Sequence, residues 1–130
     1  MSKIVVCLLL LLLSYMASCT YTKWEQPPTC VLPDTVSFSK DIVPVFTAYC
    51  SVSGCHSGSS PAGGLNLSAQ FAYQELIKSG SGYVDTIDPA YSVLYATMNN
   101  SANPMPPKGK LDDCSLDLIL KWIEQKAKNN

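Results

Sequence analysis

Apolar residues recur at helical spacing in several stretches of the chain. The first stretch predicts a helix that Ser39 caps and that runs to about Tyr49. Pro44 falls early in this helix, so we expect its start to slip or bend. The apolar positions are Ile42, Val43, Phe46 and Tyr49.

The second half of the chain repeats this pattern. Ser68 and Asp88 have side chains suited to capping two more helices, and Pro89 suits a first helical position. A last helix has an apolar stripe formed by Leu116, Ile119, Leu120, Ile123 and Ala127. The three helices are expected over residues 69–78, 89–98 and from 112 or 113 onward. Because no segment reads convincingly as a strand, the sequence predicts an all-α fold of about four helices joined by loops.

The first residues read as a targeting segment rather than part of the fold. Lys3 precedes an unbroken apolar run, Ile4–Leu13, which fits a signal peptide and is too short to span a bilayer. Small residues then stand directly before Cys19, as in the bacterial lipobox. We therefore predict a lipoprotein signal peptide over residues 1–18 and lipidation of Cys19. Ordinary cleavage that leaves Cys19 as a plain thiol is the alternative.

This segment divides the chain and predicts its destination. Residues 19–37 form a lipidated tether and N-terminal arm, and residues 38–130 form the domain. We expect a lipid anchor in the bacterial cell envelope that faces the periplasm, and the absence of Asp directly after Cys19 favours the outer membrane. The chain contains no arginine and has a formal charge of −1, so nucleic acid is not an expected partner.

Six cysteines and one histidine are the unusual part of the composition. Cys7 leaves with the signal peptide and Cys19 is assigned to lipid. Four cysteines in an oxidising compartment allow three disulfide pairings. A zinc site built from these thiols is chemically possible, although adjacent Cys55 and His56 are poorly spaced for one tetrahedral ion. The four are Cys30, Cys50, Cys55 and Cys114.

The segment from Cys50 to His56 resembles a haem-attachment motif. In c-type attachment two cysteines form thioethers and the histidine that follows ligates iron. The usual spacing is C-x-x-C-H, whereas four residues separate Cys50 from Cys55 here. On a regular helix cysteines five apart diverge by about 140°, so we expect a bulged loop, for which Gly54 is suited. The favoured assignment of the four cysteines is that two attach haem and two form one disulfide.

Methionine supplies the candidate for the second iron ligand. Met105 lies between Pro104 and Pro106, which restrict the backbone and present the thioether at a fixed position. Met98 competes for this role, but its place near the end of a predicted helix suits a core position. Met105 is therefore the predicted distal ligand, opposite His56.

Taken together, these residues resemble the small c-type cytochrome domains of envelope proteins from Bacteroidetes and Planctomycetes. The likeness covers about residues 35–130, and such domains include the longer C-x-x-x-x-C-H form. It implies a class-I cytochrome c-like bundle, with its first and last helices packed together around one covalent haem c, and a Cys30–Cys114 disulfide. The segments that carry it are Asp41–Phe46, Cys50–His56, Gly63–Leu67, Ser92–Tyr95, Met105–Pro107 and Trp122-Ile123.

The expected function is electron transfer rather than catalysis. A monohaem cytochrome would pass single electrons between redox proteins of the cell envelope, because His/Met ligation fills both axial positions of the iron. If Met105 were displaceable, a haem sensor or a peroxidase-like protein is the alternative. A second alternative is a haem-free, disulfide-stapled lipoprotein that binds a partner and pairs Cys50 with Cys55.

Overall fold

The computed structural model describes residues 29–130, and within that range it is helical with no strand. The predicted all-α class with about four helices is confirmed. The predicted signal peptide and Cys19 lie outside the described residues. A π-helical turn, Phe38–Ile42, continues as α1, Val43–Tyr49, and 3₁₀ turns occupy Ala62–Gly64 and Pro89–Tyr91. The other helices are α2, Ala72–Leu76; α3, Val93–Met98; and α4, Asp113–Glu124.

Ser37 rather than Ser39 caps the first helical segment, so the predicted Ser39 cap is wrong. The Ser37 hydroxyl accepts from the Lys40 N–H, and Asp41 Oδ2 accepts from the Ser37 N–H at 2.7 Å. The Ser39 hydroxyl instead donates to the carbonyl of Asn130 at 2.9 Å. The Ser37 hydroxyl also donates to the Asn130 carbonyl, at 2.8 Å, so it is the bonds to Lys40 and Asp41 that distinguish Ser37 as the cap.

Pro44 explains why this segment starts as a π-helix. Proline has no N–H, so it cannot donate the α-helical bond back to the carbonyl four residues earlier. The preceding turn, Phe38–Ile42, takes wider hydrogen bonds, such as Ile42 N–H to the carbonyl of Ser37. The irregular start expected from Pro44 is confirmed.

The predicted helix over residues 69–78 is shorter than expected. Only Ala72–Leu76 is α-helical, and residues 69–71 form a turn. The backbone carbonyl of Ser68, rather than its hydroxyl, accepts from the N–H groups of Phe71 and Ala72. The cap predicted for the Ser68 side chain is therefore wrong.

The predicted helix over residues 89–98 breaks at Ser92, whose ψ of 127° is extended. The Asp88 side chain makes no cap bond, which corrects the predicted N-cap. Asp85 Oδ1 instead accepts from the N–H groups of Ile87 and Asp88 at 2.8 and 3.1 Å. These bonds hold the pKa of Asp85 below its usual value. The loop before α3 is thus organised by Asp85.

Ser92 is fully buried and ties this loop to α3. Its hydroxyl accepts from the Asp85 N–H at 2.8 Å and donates to the Asp85 carbonyl at 3.2 Å. We expect Ser92→Ala to lower the free energy of unfolding by about 1–3 kcal/mol, because both backbone groups lose their partner. Urea unfolding checks this, with exposed Ser101→Ala as the control. Equal midpoints for the two variants would contradict it.

Helix α4 forms the centre of the core, as its apolar stripe predicts. Asp112 caps it by accepting from the Ser115 N–H at 2.9 Å. The Trp122 ring lies 5.1 Å from that of Phe38, so α4 packs against the first helical turn. Ala127 is also buried, but it lies beyond the helix end with φ of 45°. The buried residues within α4 are Leu116, Ile119, Trp122 and Ile123.

Two links fasten the N-terminal arm to this core. Cys30 and Cys114 form a disulfide with their Cα atoms 5.4 Å apart, which confirms the expected pairing. The Asn130 side chain accepts from the Phe38 N–H at 2.9 Å and donates to the Val36 carbonyl at 3.3 Å. The start of the first helix is thereby fixed against the end of the chain. Within residues 29–130, no helix is both long and apolar enough to cross a membrane.

Candidate functional site

One apolar cleft gathers the four predicted haem-binding residues. Two cavities of about 170 and 310 Å³ share several lining residues, so they adjoin, and we call the two together the cleft. Cys50, His56 and Met105 line both cavities, and Cys55 lines the larger one. The remaining shared residues are Ala62 and Gly63. The loop after α1 and the loop after α3, distant in sequence, thus face the same space.

The Cys50–Cys55 loop accommodates its extra residues in a closed bulge. Helix α1 ends where the N–H groups of Cys50 and Ser51 both donate to the Phe46 carbonyl, at 2.8 and 2.7 Å. The His56 N–H then donates back to the Cys50 carbonyl at 3.1 Å and closes the loop. Gly54 has φ of 81°, in the region where glycine is favoured. The bulge expected from the cysteine spacing is confirmed.

The ring of half-buried His56 is held by the backbone. Its Nδ1 lies 3.2 Å from the carbonyl oxygen of Leu65. A carbonyl only accepts, so Nδ1 is the donor in this contact, and in the neutral ring the lone pair is then on Nε2. The His56 carbonyl also accepts from the Leu67 N–H at 2.8 Å. A histidine ligand oriented through its other ring nitrogen is the usual arrangement at protein metal sites.

The two thiols of the loop are not joined to each other. Cys50 is only 8% exposed, and burial, with Cys55 as a smaller cause, raises its pKa to about 11. Cys50 is therefore a neutral thiol at physiological pH. The Cys50–Cys55 disulfide of the haem-free alternative is not formed.

The disulfide also bears on the zinc alternative. Cys30 and Cys114 are consumed by their bond, so three or four thiolates are not available together. Over residues 29–130 no group of three or more His, Cys, Asp or Glu side chains is placed to hold a metal ion.

The two methionines of this region differ in their surroundings. Met98 is 2% exposed and lines the smaller cavity but not the larger one. Met105 is 43% exposed and lines both cavities, as Cys50 and His56 do. The Met105 N–H donates to the Thr97 carbonyl at 3.0 Å, which ties its loop to α3. The core role expected for Met98 fits this burial.

Apolar side chains and one glycine turn complete the cleft. Gly63 has φ of 61° and lines both cavities, so a side chain here would be strained by the backbone. Tyr83 and Thr97 line the smaller cavity and were not expected from the sequence, because neither belongs to a recognisable motif. The apolar walls are Leu65, Leu67 and Leu94.

Comparison with known proteins returns no matching family model, no matching curated protein and no matching solved structure.

Proposed function

We propose that this protein is a monohaem c-type cytochrome that carries single electrons. One observation carries the proposal: two thiols, the sole histidine and a methionine, drawn from separate parts of the chain, line one apolar cleft. The histidine presents a free ring nitrogen, and the first thiol is neutral. This is the donor set that covalent attachment and His/Met ligation of a haem require.

Each residue has a defined role toward haem c. Cys50 and Cys55 would hold the porphyrin through thioether bonds, His56 Nε2 would be the proximal ligand, and the Met105 sulfur the distal ligand. The chemistry that the bound group supplies is a single-electron exchange between ferrous and ferric iron. Leu65, whose carbonyl accepts from His56, orients the imidazole, and the apolar walls would exclude water from the bound group.

Electron transfer is favoured over catalysis by this ligand set. If His56 and Met105 both held the iron, they would leave no position on it for a substrate, and methionine ligation would raise the reduction potential. The finer fold we propose is a class-I cytochrome c-like bundle. The packing of α4 against the Phe38–Ile42 turn supports it, as the resemblance implies for first and last helices.

We place this carrier in the bacterial cell envelope. The apolar run Ile4–Leu13 and the lipobox-like residues before Cys19 support export and lipid anchoring. The anchor would face the periplasm, on the outer membrane, and restrict the search for redox partners to a membrane surface. The Cys30–Cys114 disulfide fits an oxidising compartment.

Intact mass of the denatured protein tests the proposal. The chain is made in a host with c-type cytochrome maturation and compared with material from a host that lacks it. We expect an added mass of one haem in the first sample only. No adduct in either sample, with Cys50 and Cys55 oxidised to a second disulfide, would overturn the cytochrome and support a haem-free binding module.

The exposure of Met105 favours a second candidate, a haem sensor or peroxidase-like protein. A side chain 43% exposed is less firmly packed than a buried one, so its sulfur is open to displacement. Rapid binding of carbon monoxide by the reduced protein at neutral pH would support this candidate. Failure to bind would support the simple carrier.

Replacement of each methionine identifies the distal ligand. We expect Met105→Ala to abolish the far-red absorption band of ferric iron bound to methionine sulfur, and to allow carbon monoxide binding. Met98→Ala is the matched control: it should keep the band but lower the free energy of unfolding by about 2–5 kcal/mol, because it leaves a core cavity. Loss of the band in Met98→Ala but not in Met105→Ala would identify Met98 as the distal ligand instead.

A further inference from the structure

Residues 65–67 contact His56 at two points. The Leu65 carbonyl oxygen lies 3.2 Å from His56 Nδ1, and the Leu67 N–H donates to the His56 carbonyl at 2.8 Å. Leu65 and Leu67 are buried and line the smaller cavity. Asn66, between them, is half-buried and lines neither cavity. Both chain neighbours of Asn66 are therefore bonded to the proposed proximal ligand, although its own side chain is not.

The side chain of Asn66 makes a third link between the same two segments. Its Nδ2 donates at 3.1 Å to the carbonyl of Gly58, which follows His56 by two residues. Its Oδ1 accepts from the Ser68 N–H at 3.0 Å, as in an Asx turn. Because a carbonyl only accepts and an N–H only donates, these two partners fix which way the amide points. The acceptor of Asn66 thus forms a local turn, and its donor holds the segment that begins at His56.

We infer that Asn66 is a positioning residue for the His56 imidazole. This inference rests on the proposed function, in which that ring is the proximal ligand of haem c. The bond from His56 Nδ1 to the Leu65 carbonyl requires residues 65–67 to keep their place, and the bond from Asn66 to Gly58 resists their separation from His56. Partners at the second ring nitrogen fix the orientation of a ligating histidine and raise its basicity. Asn66 would act on the ring through Leu65.

Two variants separate the donor of this amide from its acceptor. Asn66→Asp keeps an oxygen for the Ser68 N–H but places a second acceptor against the Gly58 carbonyl, whereas Asn66→Ala removes both groups. If Asn66 positions the His56 ring, both variants should disturb it. A residue that only forms the local turn would be rescued by Asp. Asn129→Ala is the matched control, since Asn129 is exposed and lies outside the cleft lining.

Hydrogen exchange in the reduced, haem-loaded protein measures how firmly the two segments are held. The Leu67 N–H, which donates to the His56 carbonyl, is compared with the N–H of fully buried Ile119 in α4, which reports overall unfolding. Relative to Ile119, we expect Leu67 to exchange about fivefold faster or more in both Asn66 variants, because one hydrogen bond is lost. Asn129→Ala should leave the ratio unchanged. An unchanged ratio in Asn66→Ala, or a ratio restored by Asn66→Asp, would overturn the inference.

The oxidised protein supplies a readout that a role confined to the turn would not move. The spread of the haem methyl signals in NMR spectra depends on how the axial ligands are oriented, and we expect it to change in both Asn66 variants. The reduction potential should rise in Asn66→Ala, because a weaker bond at Nδ1 makes the imidazole less basic. Asn66→Asp adds a negative charge, so only its methyl signals are compared.

Two different failures are distinguishable in this design. Faster exchange of the Leu67 N–H with unchanged methyl signals and an unchanged potential would overturn the positioning role, because Asn66 would then stabilise the loop without acting on the ring. If the unaltered chain forms no covalent haem, the proposed function fails before any Asn66 variant is compared.

Discussion

The double variant Cys50→Ala/Cys55→Ala is expected to carry no covalent haem, in a host that loads the unaltered chain completely. Both thiols lie in one loop, which the hydrogen bond from His56 N–H to the Cys50 carbonyl closes. Without either sulfur no thioether can form, although His56 and Met105 are unaltered. Intact mass after denaturation measures the loss, and extraction of pigment into acidic organic solvent checks it.

Three matched variants sharpen this result. Each single variant, Cys50→Ala or Cys55→Ala, should keep a fraction of the adduct through its remaining thiol. Cys30→Ala/Cys114→Ala removes the same number of sulfur atoms elsewhere and should keep the adduct in full. Covalent haem in the Cys50/Cys55 double variant, or its loss only from the Cys30/Cys114 variant, would contradict the assignment of the thiols.

Loss of the Cys30–Cys114 disulfide is expected to lower the free energy of unfolding by about 2–4 kcal/mol. The bond joins residues 84 apart, so it removes much of the freedom of the unfolded chain. It also fastens the N-terminal arm beside the first turn of α4. Urea unfolding of Cys30→Ala/Cys114→Ala against the oxidised protein measures the change.

The same measurement has an internal control. A reducing agent should destabilise the unaltered protein by a similar amount and leave the Cys30→Ala/Cys114→Ala variant unchanged. Haem-free samples of both proteins are compared, so that haem binding does not contribute. A midpoint that neither the substitution nor reduction moves would contradict a stabilising role for this bond.

The sequence predicted the existence of the helices better than their ends. The stripe of α4 was sufficient because its residues face a single core, and Asp112 and Ser115 cap it locally. Ser37 and Ser39 were harder to distinguish, since both hydroxyls donate to the Asn130 carbonyl and only Ser37 also bonds to Lys40 and Asp41. The break at Ser92 accompanies hydrogen bonds between its hydroxyl and the backbone of Asp85, seven residues earlier, and helical periodicity does not encode that pairing.

In the candidate site, too, the sequence indicated some residues and gave no sign of the contacts that hold them. Side chains with distinctive chemistry, such as His56 and Met105, could be singled out from the sequence because few residue types are candidates for iron ligands. Backbone groups were not: the carbonyls of Leu65 and Thr97 hold the His56 ring and the Met105 loop, and every residue has such a carbonyl. Tyr83 reaches the cleft only because the chain folds back over it. These contacts required the three-dimensional structure.

The disulfide has a mechanical consequence. A force that pulls on the chain ahead of Cys30 reaches Cys114 directly through the sulfur–sulfur bond, and so passes into α4. The disulfide bypasses residues 31–113, which include both cleft loops. A pull on the chain ahead of Cys30 would therefore be resisted by α4 and the core around it. Neither the His56 ring nor the Met105 loop would be stretched.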